Sequence, residues 1–206
     1  MSFPEETYAR AGDYLAAYRR ALSDAWQSVD QDAANRAAEL LEAAISGGQA
    51  IFSCGNGGSA AIANHLHCDF LKGVQTDTQL RPRVTSLANS IELITAIAND
   101  IAYEEIFAYQ LRTLARPGDV LITVSASGNS ENIVRAVRWA RDNRVHSIAL
   151  TGFDGGRSAG LAEVSLHVEA ANYGIVEDVH QSLMHILAQY MRQHAMPPGL
   201  IPQRPF

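Results

Sequence analysis

The sequence predicts an α/β fold, a three-layer αβα sandwich on a five-stranded parallel sheet preceded by two N-terminal helices. Three observations lead there. Five short, nearly continuous apolar runs recur along the chain, as in strands buried on both faces. Helical patterns separate them, the alternation that yields parallel strands joined by right-handed crossovers. Two strand-to-helix junctions are rich in glycine and serine, and such sheets bind ligands beyond the carboxyl ends of their strands.

The first fifty residues read as two helices. In "TYARAGDYLAAYRRALSDAWQSV", Tyr8, Leu15, Tyr18, Leu22 and Trp26 recur at roughly helical spacing and form an apolar stripe. That stripe is longer than one helix needs to cover a sheet edge, which points to a helix–helix interface between subunits. Asp30 is the expected N-cap of the second helix and Gly47-Gly48 its end. Strands are expected at 50–54, 84–88, 119–125, 146–152 and 164–170. Helices are expected at 59–73, at 90–114 with a break near Asn99-Asp100, at 130–142 and at 175–194. The tail from Met196, "MPPGLIPQRPF", is proline-rich and is read as an extended arm, because proline donates no backbone hydrogen bond. A single domain thus divides into N-terminal helices for oligomerisation (1–49), a ligand-binding core (50–194) and the tail (195–206).

Composition narrows the functional classes. A chain of 206 residues is long enough to bury a proper core. Its net charge of −6 argues against a nucleic-acid binder, which would carry a basic face. Two cysteines, Cys54 and Cys68, make no disulfide framework. Neither a signal-peptide pattern nor an apolar run long enough to cross a bilayer is visible, so a cytoplasmic protein without a membrane partner is expected.

The first glycine loop, "SCGNGGSA", follows a strand and opens a helix, the context of an anion site. Gly55, Gly57 and Gly58 permit tight turns, and Ser59 would cap the helix with its hydroxyl facing a ligand. Neither a Walker loop nor a dinucleotide fingerprint matches: the Lys-Ser/Thr pair is missing, and Ala60 or Ala61 stands at the third glycine. The second loop, "VSASGNSENI", repeats the design with Ser125, Ser127, Asn129 and Ser130 around Gly128. Neutral hydroxyls and backbone N–H groups suit a phosphate monoester that is held and not cleaved. Phosphoryl transfer would demand a cation beside the leaving group, and neither loop has one.

"GNGGSA", "SASGNSENI", "AIANDIAYEEIF" and "EDVHQSLMHIL" together resemble the sugar isomerase (SIS) fold and, within it, the phosphoheptose isomerase family, over about residues 5–193. The resemblance implies a homotetramer with sites between subunits. It implies an aldose–ketose isomerase that converts sedoheptulose 7-phosphate, a heptose phosphate, into D-glycero-D-manno-heptose 7-phosphate. It assigns substrate contacts to Asn56, Gly57, Gly58, Ser59, Asp69, Asn99, Asp100, Ser125, Ala126, Ser127, Ser130 and Glu177. Family ligands for zinc fall on His65, Asp69, Glu177 and His185. The chain departs from the family pattern in four places. Asp69 replaces a Glu, Glu177 a Gln, Gly174 a substrate-binding Asp and Gly73 an Arg, with Lys72 beside it.

The residues themselves agree in outline. His65 and Asp69 are four apart on one helix and share a face; Glu177 and His185 are a little over two turns apart on the last helix. Two imidazoles and two carboxylates are ordinary ligands for zinc, and oxygen-rich ligation would also suit manganese or nickel. Isomerisation through an enediol needs a base at the carbon acid and an acid for the oxygen, roles expected of Asp69 and His185. His67, Cys68, His146, His167 and His194 are read as packing or surface residues. Two other classes fit a chain of this kind: a non-catalytic SIS-fold adaptor of the replication initiator or phosphosugar sensor, and an isomerase of another phosphosugar. An adaptor has no need of two His and two acids converging on one pocket.

Overall fold

The computed structural model describes residues 3–206; Met1 and Ser2, at the start of the N-terminal segment, lie outside the described residues. Helices α1 (Ala11–Gln27) and α2 (Gln31–Gly47) precede strand β1 (Ala50–Gly55). Helix α3 (Gly58–Cys68) runs on into a π turn (Asp69–Val74). Then follow β2 (Arg83–Ser86), α4 (Ile91–Asp100), a 3₁₀ turn (Tyr103–Glu105), α5 (Ala108–Leu114) and β3 (Val120–Ser125). Helix α6 (Glu131–Asp142), β4 (His146–Thr151), the short α7 (Gly156–Leu161), β5 (Val164–His167) and the long α8 (Tyr173–Ala195) complete the domain. The sheet order is β2-β1-β3-β4-β5, with every pairing parallel.

Strand alternation splits the core into two layers. Ile51 pairs with Val120 and faces the same side as Ile122, Val124, Ile148 and Leu150, where α2, α3 and α8 cover the sheet. Phe52, Cys54 and Leu121 face the other side, against α4, α5 and α6. Both faces are thus closed, which is why the strands read as continuous apolar runs.

The expected boundaries hold where the signals are local. Asp30 Oδ1 accepts from the Asp32 N–H at 2.8 Å, and Gly48 ends α2 at φ +74°. The expected break near Asn99-Asp100 is real: α4 stops at Asp100. On α1, Tyr18, Leu22 and Trp26 pack on the core, whereas Leu15 is 65% exposed. The strands β2 and β5 end earlier than expected, and α7 was not foreseen.

The tail corrects the sequence reading. It is not an extended arm: Pro198–Gln203 forms a 3₁₀ helix with proline in its first turn, where the missing N–H has no partner to lose. Arg192, on α8, holds the chain beyond it. Its guanidinium donates to the Pro205 and Thr76 carbonyls, pairs with Asp77 at 3.1 Å and sits 4.7 Å over the Phe206 ring. No helix among the described residues is long and apolar enough to cross a membrane.

His180 is fully buried beneath the site on α8. Its Nε2 donates to the Thr151 carbonyl at 3.1 Å, and its Nδ1 has no partner among the described residues. Burial pushes the imidazole from the ordinary 6.5 down to about 4; the bond to Thr151 opposes this and nearby His167 adds to it. The unfolded chain therefore binds the proton more readily. Stability present above pH 6.5 should be lost as pH falls toward 4, by roughly 3 kcal/mol from this residue. Urea midpoints measured across that range should show the loss in the wild type, and His180→Gln, which does not titrate, should flatten it.

Candidate active site

Three helix N-termini converge at the carboxyl edge of the sheet. Ser59 in the first turn of α3, Ser130 at the N-cap of α6, and Tyr173 and Glu177 at the start of α8 all line one cavity of about 160 Å³. Asn56, Val124, Ser125, Ala126 and Ser127 complete it, and no Lys or Arg contributes. Aligned peptide dipoles place about half a positive charge at each helix start. Such a cavity offers an anion backbone N–H groups and hydroxyls in place of a cationic side chain. Ser130 caps α6 without a side-chain bond to it, which leaves its hydroxyl for a ligand.

The two glycine and serine loops are tied to each other. Asn56 donates to Asn132 Oδ1 at 2.9 Å, and Asn132 donates back to Asn56 Oδ1 at 3.0 Å. The Tyr103 hydroxyl also donates to Asn56 Oδ1. From below, Arg157 bonds the Asn129 carbonyl and pairs with Glu131; Arg135 links Glu131 to Glu105. Gly128 sits at φ +63°, and a Cβ there would lie 2.0 Å from the Gly155 carbonyl oxygen, so the serine loop rests directly on the β4–α7 turn.

A second group lies further along α3 and α8. Asp69 Oδ1 is 3.2 Å from His65 Nε2, and Asp69 Oδ2 is 2.8 Å from His185 Nδ1. The two rings meet edge to face with centroids 4.9 Å apart. Gln181 Nε2 is 3.1 Å from the other nitrogen of His185. One ligand atom from each of His65, Asp69 and His185 falls within 4.8 Å of the others. Two imidazoles and a carboxylate match zinc's preferred donors and leave a position for substrate, so the donor set fits a catalytic divalent ion.

Glu177, expected as the fourth ligand, is not in that group. It lies two turns back along α8, over Gly58, whose added Cβ would meet the carboxylate at 2.6 Å. There it lines the anion cavity. Burial raises its pKa above the ordinary carboxylate range, and the charge of Asp178 raises it further.

Asn99 and Asp100 are hydrogen-bonded to each other at the exposed end of α4 and do not line the cavity within one chain. Gly57 and Gly58 shape the first loop without lining it. His67 accepts the Ser86 N–H, His146 pairs with Glu163, His167 bonds Thr151, and His194 pairs with Glu42. Cys68 is exposed beside Asp69. Sequence reasoning missed Asn132, Tyr103, Tyr173 and Gln181. Asn132 alone left a signal, a polar residue on what becomes the buried face of α6.

This sheet, its two N-terminal helices and the paired loops define a phosphosugar-binding class of fold. The SIS domain model matches residues 13–152, and the chain belongs to that family. Within it the likeness is to phosphoheptose isomerases. That of Colwellia psychrerythraea is 39% identical over 163 residues, covering 78% of this chain and 83% of that one. That of Shewanella denitrificans is 37% identical over 165 residues, 79% of this chain and 84% of the other. The phosphoheptose isomerase structure from Neisseria gonorrhoeae superposes with a TM-score of 0.80 at 33% identity, covering 88% of this chain and 96% of that one.

The seating of the serine loop makes a direct test. Gly128→Ala should destabilise the fold by at least ~1 kcal/mol, because a left-handed backbone is costly for any residue with a Cβ and the Gly155 carbonyl leaves no room. Chemical unfolding should report this, and calorimetry should show weaker binding of a sugar phosphate. Gly160→Ala, at an open position, should change neither.

Proposed function

We propose that the protein is an aldose–ketose isomerase that interconverts sedoheptulose 7-phosphate and D-glycero-D-manno-heptose 7-phosphate through an enediol. One observation carries the reading. The cation-free anion cavity and the His65–Asp69–His185 group are built on the same two helices, at a fixed separation. Ser59 and His65 are six residues apart on α3, about 9 Å of helix rise. That span is comparable to the reach of an extended seven-carbon sugar phosphate from its phosphorus to C2. The family relationship supports the same chemistry.

In this reading the phosphate lies among Ser59, Ser125, Ser127 and Ser130, and the sugar chain runs along α3 and α8 toward Asp69. Asp69 takes the proton from C1 and returns it to C2. The Nδ1–H that His185 now gives to Asp69 turns to O2 as the C1 proton leaves, and the ring recovers a proton from O1. The longer of the two Asp69 contacts, that to His65, is the one that yields to the carbon acid. A divalent ion, zinc in the first instance, would be held by His65, Asp69 and His185 in place of the Nδ1 proton, and when bound would polarise the carbonyl. Glu177 stands at the phosphate end, where burial raises its pKa above the ordinary carboxylate range.

The assembly we propose is a homotetramer whose sites are completed across subunits. Helix α4 supports this: in one chain only Ile97 of it is buried, while Ile91 is 67% exposed. An apolar helix of this kind needs a partner, and Asn99 and Asp100 at its end would be carried by that contact toward a neighbouring site.

Light scattering at micromolar concentration should give the mass of four chains; a monomer would remove the shared-site part of the reading. The chemistry is tested by solvent deuterium exchange at the carbon next to the carbonyl of sedoheptulose 7-phosphate, with zinc and with chelator. Wild type should exchange, and Asp69→Asn should exchange on the order of 10²–10⁴-fold more slowly with sugar-phosphate affinity little changed. Tight binding with no exchange under any metal condition would mean a phosphosugar sensor or adaptor.

A further inference from the structure

Of the residues that line the anion cavity, Tyr173 alone is exposed, at 61%; the others are buried or half-buried. It therefore stands at the outer edge of the cavity. Tyr173 is the first residue of α8 and lies one turn before Glu177, so the two side chains share a face and look onto the same space. His185 is a further eight residues beyond Glu177, about 12 Å of helix rise. Along α8 the order is thus Tyr173, the anion cavity, then the group at Asp69.

The Tyr173 ring is braced from behind. It packs against Phe153, with centroids 4.8 Å apart and planes tilted by 54°. Phe153 is itself held: its backbone is left-handed at φ +53°, and its N–H donates to the Ala170 carbonyl at 2.9 Å. The first turn of α8 is tied down as well. Asn172 caps it by accepting the Ile175 N–H and donates to the Phe3 carbonyl. A Cβ on Gly174 would sit 3.2 Å from the Tyr18 hydroxyl, so α1 lies directly against this turn.

We propose that Tyr173 determines specificity at the phosphate: its ring closes the outer side of the cavity, admits terminal phosphate monoesters and excludes phosphodiesters. The inference rests on the reading that the phosphate lies in this cavity with its carbon chain running toward Asp69. The cavity of about 160 Å³ has the volume of roughly five waters, room for one phosphorus, its oxygens and little more. A bound phosphate directs its sugar ester oxygen along α3 and α8. Its other oxygens face the start of α3, the serine loop or Tyr173. Only the side at Tyr173 leads to solvent, so a second ester group would have to leave through the space the ring occupies. The serine hydroxyls and helix N-termini cannot make this distinction, because a diester still carries a negative charge. Rejecting a close relative of the ligand calls for a clash, and the braced ring supplies it.

Calorimetry with inorganic phosphate, sedoheptulose 7-phosphate and the methyl diester of that sugar phosphate tests this. Wild type should bind the first two and bind the diester far more weakly. Part of that gap is charge, which is the same for every variant, so the readout is the change on substitution. Tyr173→Ala should bind the diester about tenfold more tightly than wild type does, as for relief of a steric clash. Tyr173→Phe, which keeps the ring, should match wild type within about twofold. Diester affinity that is unchanged or lower in Tyr173→Ala would overturn the proposal, as would an equal gain in Tyr173→Phe. In either case inorganic phosphate still bound by the wild type would leave the cavity reading standing. A wild type that binds no phosphate would overturn both.

Discussion

One carboxylate oxygen joins the helices on which the site is built. Asp69 ends the regular part of α3 and starts its π turn, and it reaches across to His185 in the middle of α8. The carboxylate is only a fifth exposed, so its hydrogen bonds matter more than those of a surface pair. Because α3 and α8 also begin at the anion cavity, the Asp69–His185 bond ties the cavity end of the two helices to the group proposed to move the proton. π turns inside helices often mark functional sites, and here one begins at the residue assigned as base.

Much of the fold was legible because its signals are local. The cap at Asp30, the left-handed end at Gly48, the strand runs and the serine-rich loops each depend on a few neighbouring residues. The proline tail was misread because its conformation comes from Arg192, a residue on another element that bonds the Pro205 carbonyl and covers Phe206. Helix α7, six residues long, is too short to leave a periodic pattern.

The candidate site was legible in its residue types and less so in its grouping. His65, Asp69 and His185 meet, but spacing along α8 could not say which turn faces Asp69. Glu177 and Gln181 are both polar and lie eight and four residues before His185. Only the packing of α8 on α3 places Glu177 over Gly58 and Gln181 against the imidazole. The carboxylate at the anion end is thus a feature of charge as well as shape. Glu177 puts a group with a raised pKa among the serine hydroxyls.

The reciprocal bond between Asn56 and Asn132 has a thermodynamic consequence. Each amide satisfies the other, Tyr103 adds a third bond, and the loops after β1 and β3 are joined into one body. A cradle held together by its own side-chain bonds loses little backbone entropy when an anion arrives, whereas a mobile loop would forfeit roughly 1–2 kcal/mol for each residue it fixes. The interaction energy of the phosphate is therefore not consumed in organising its own site. It remains for holding the flexible carbon chain, whose many torsions are the largest source of disorder left in the complex.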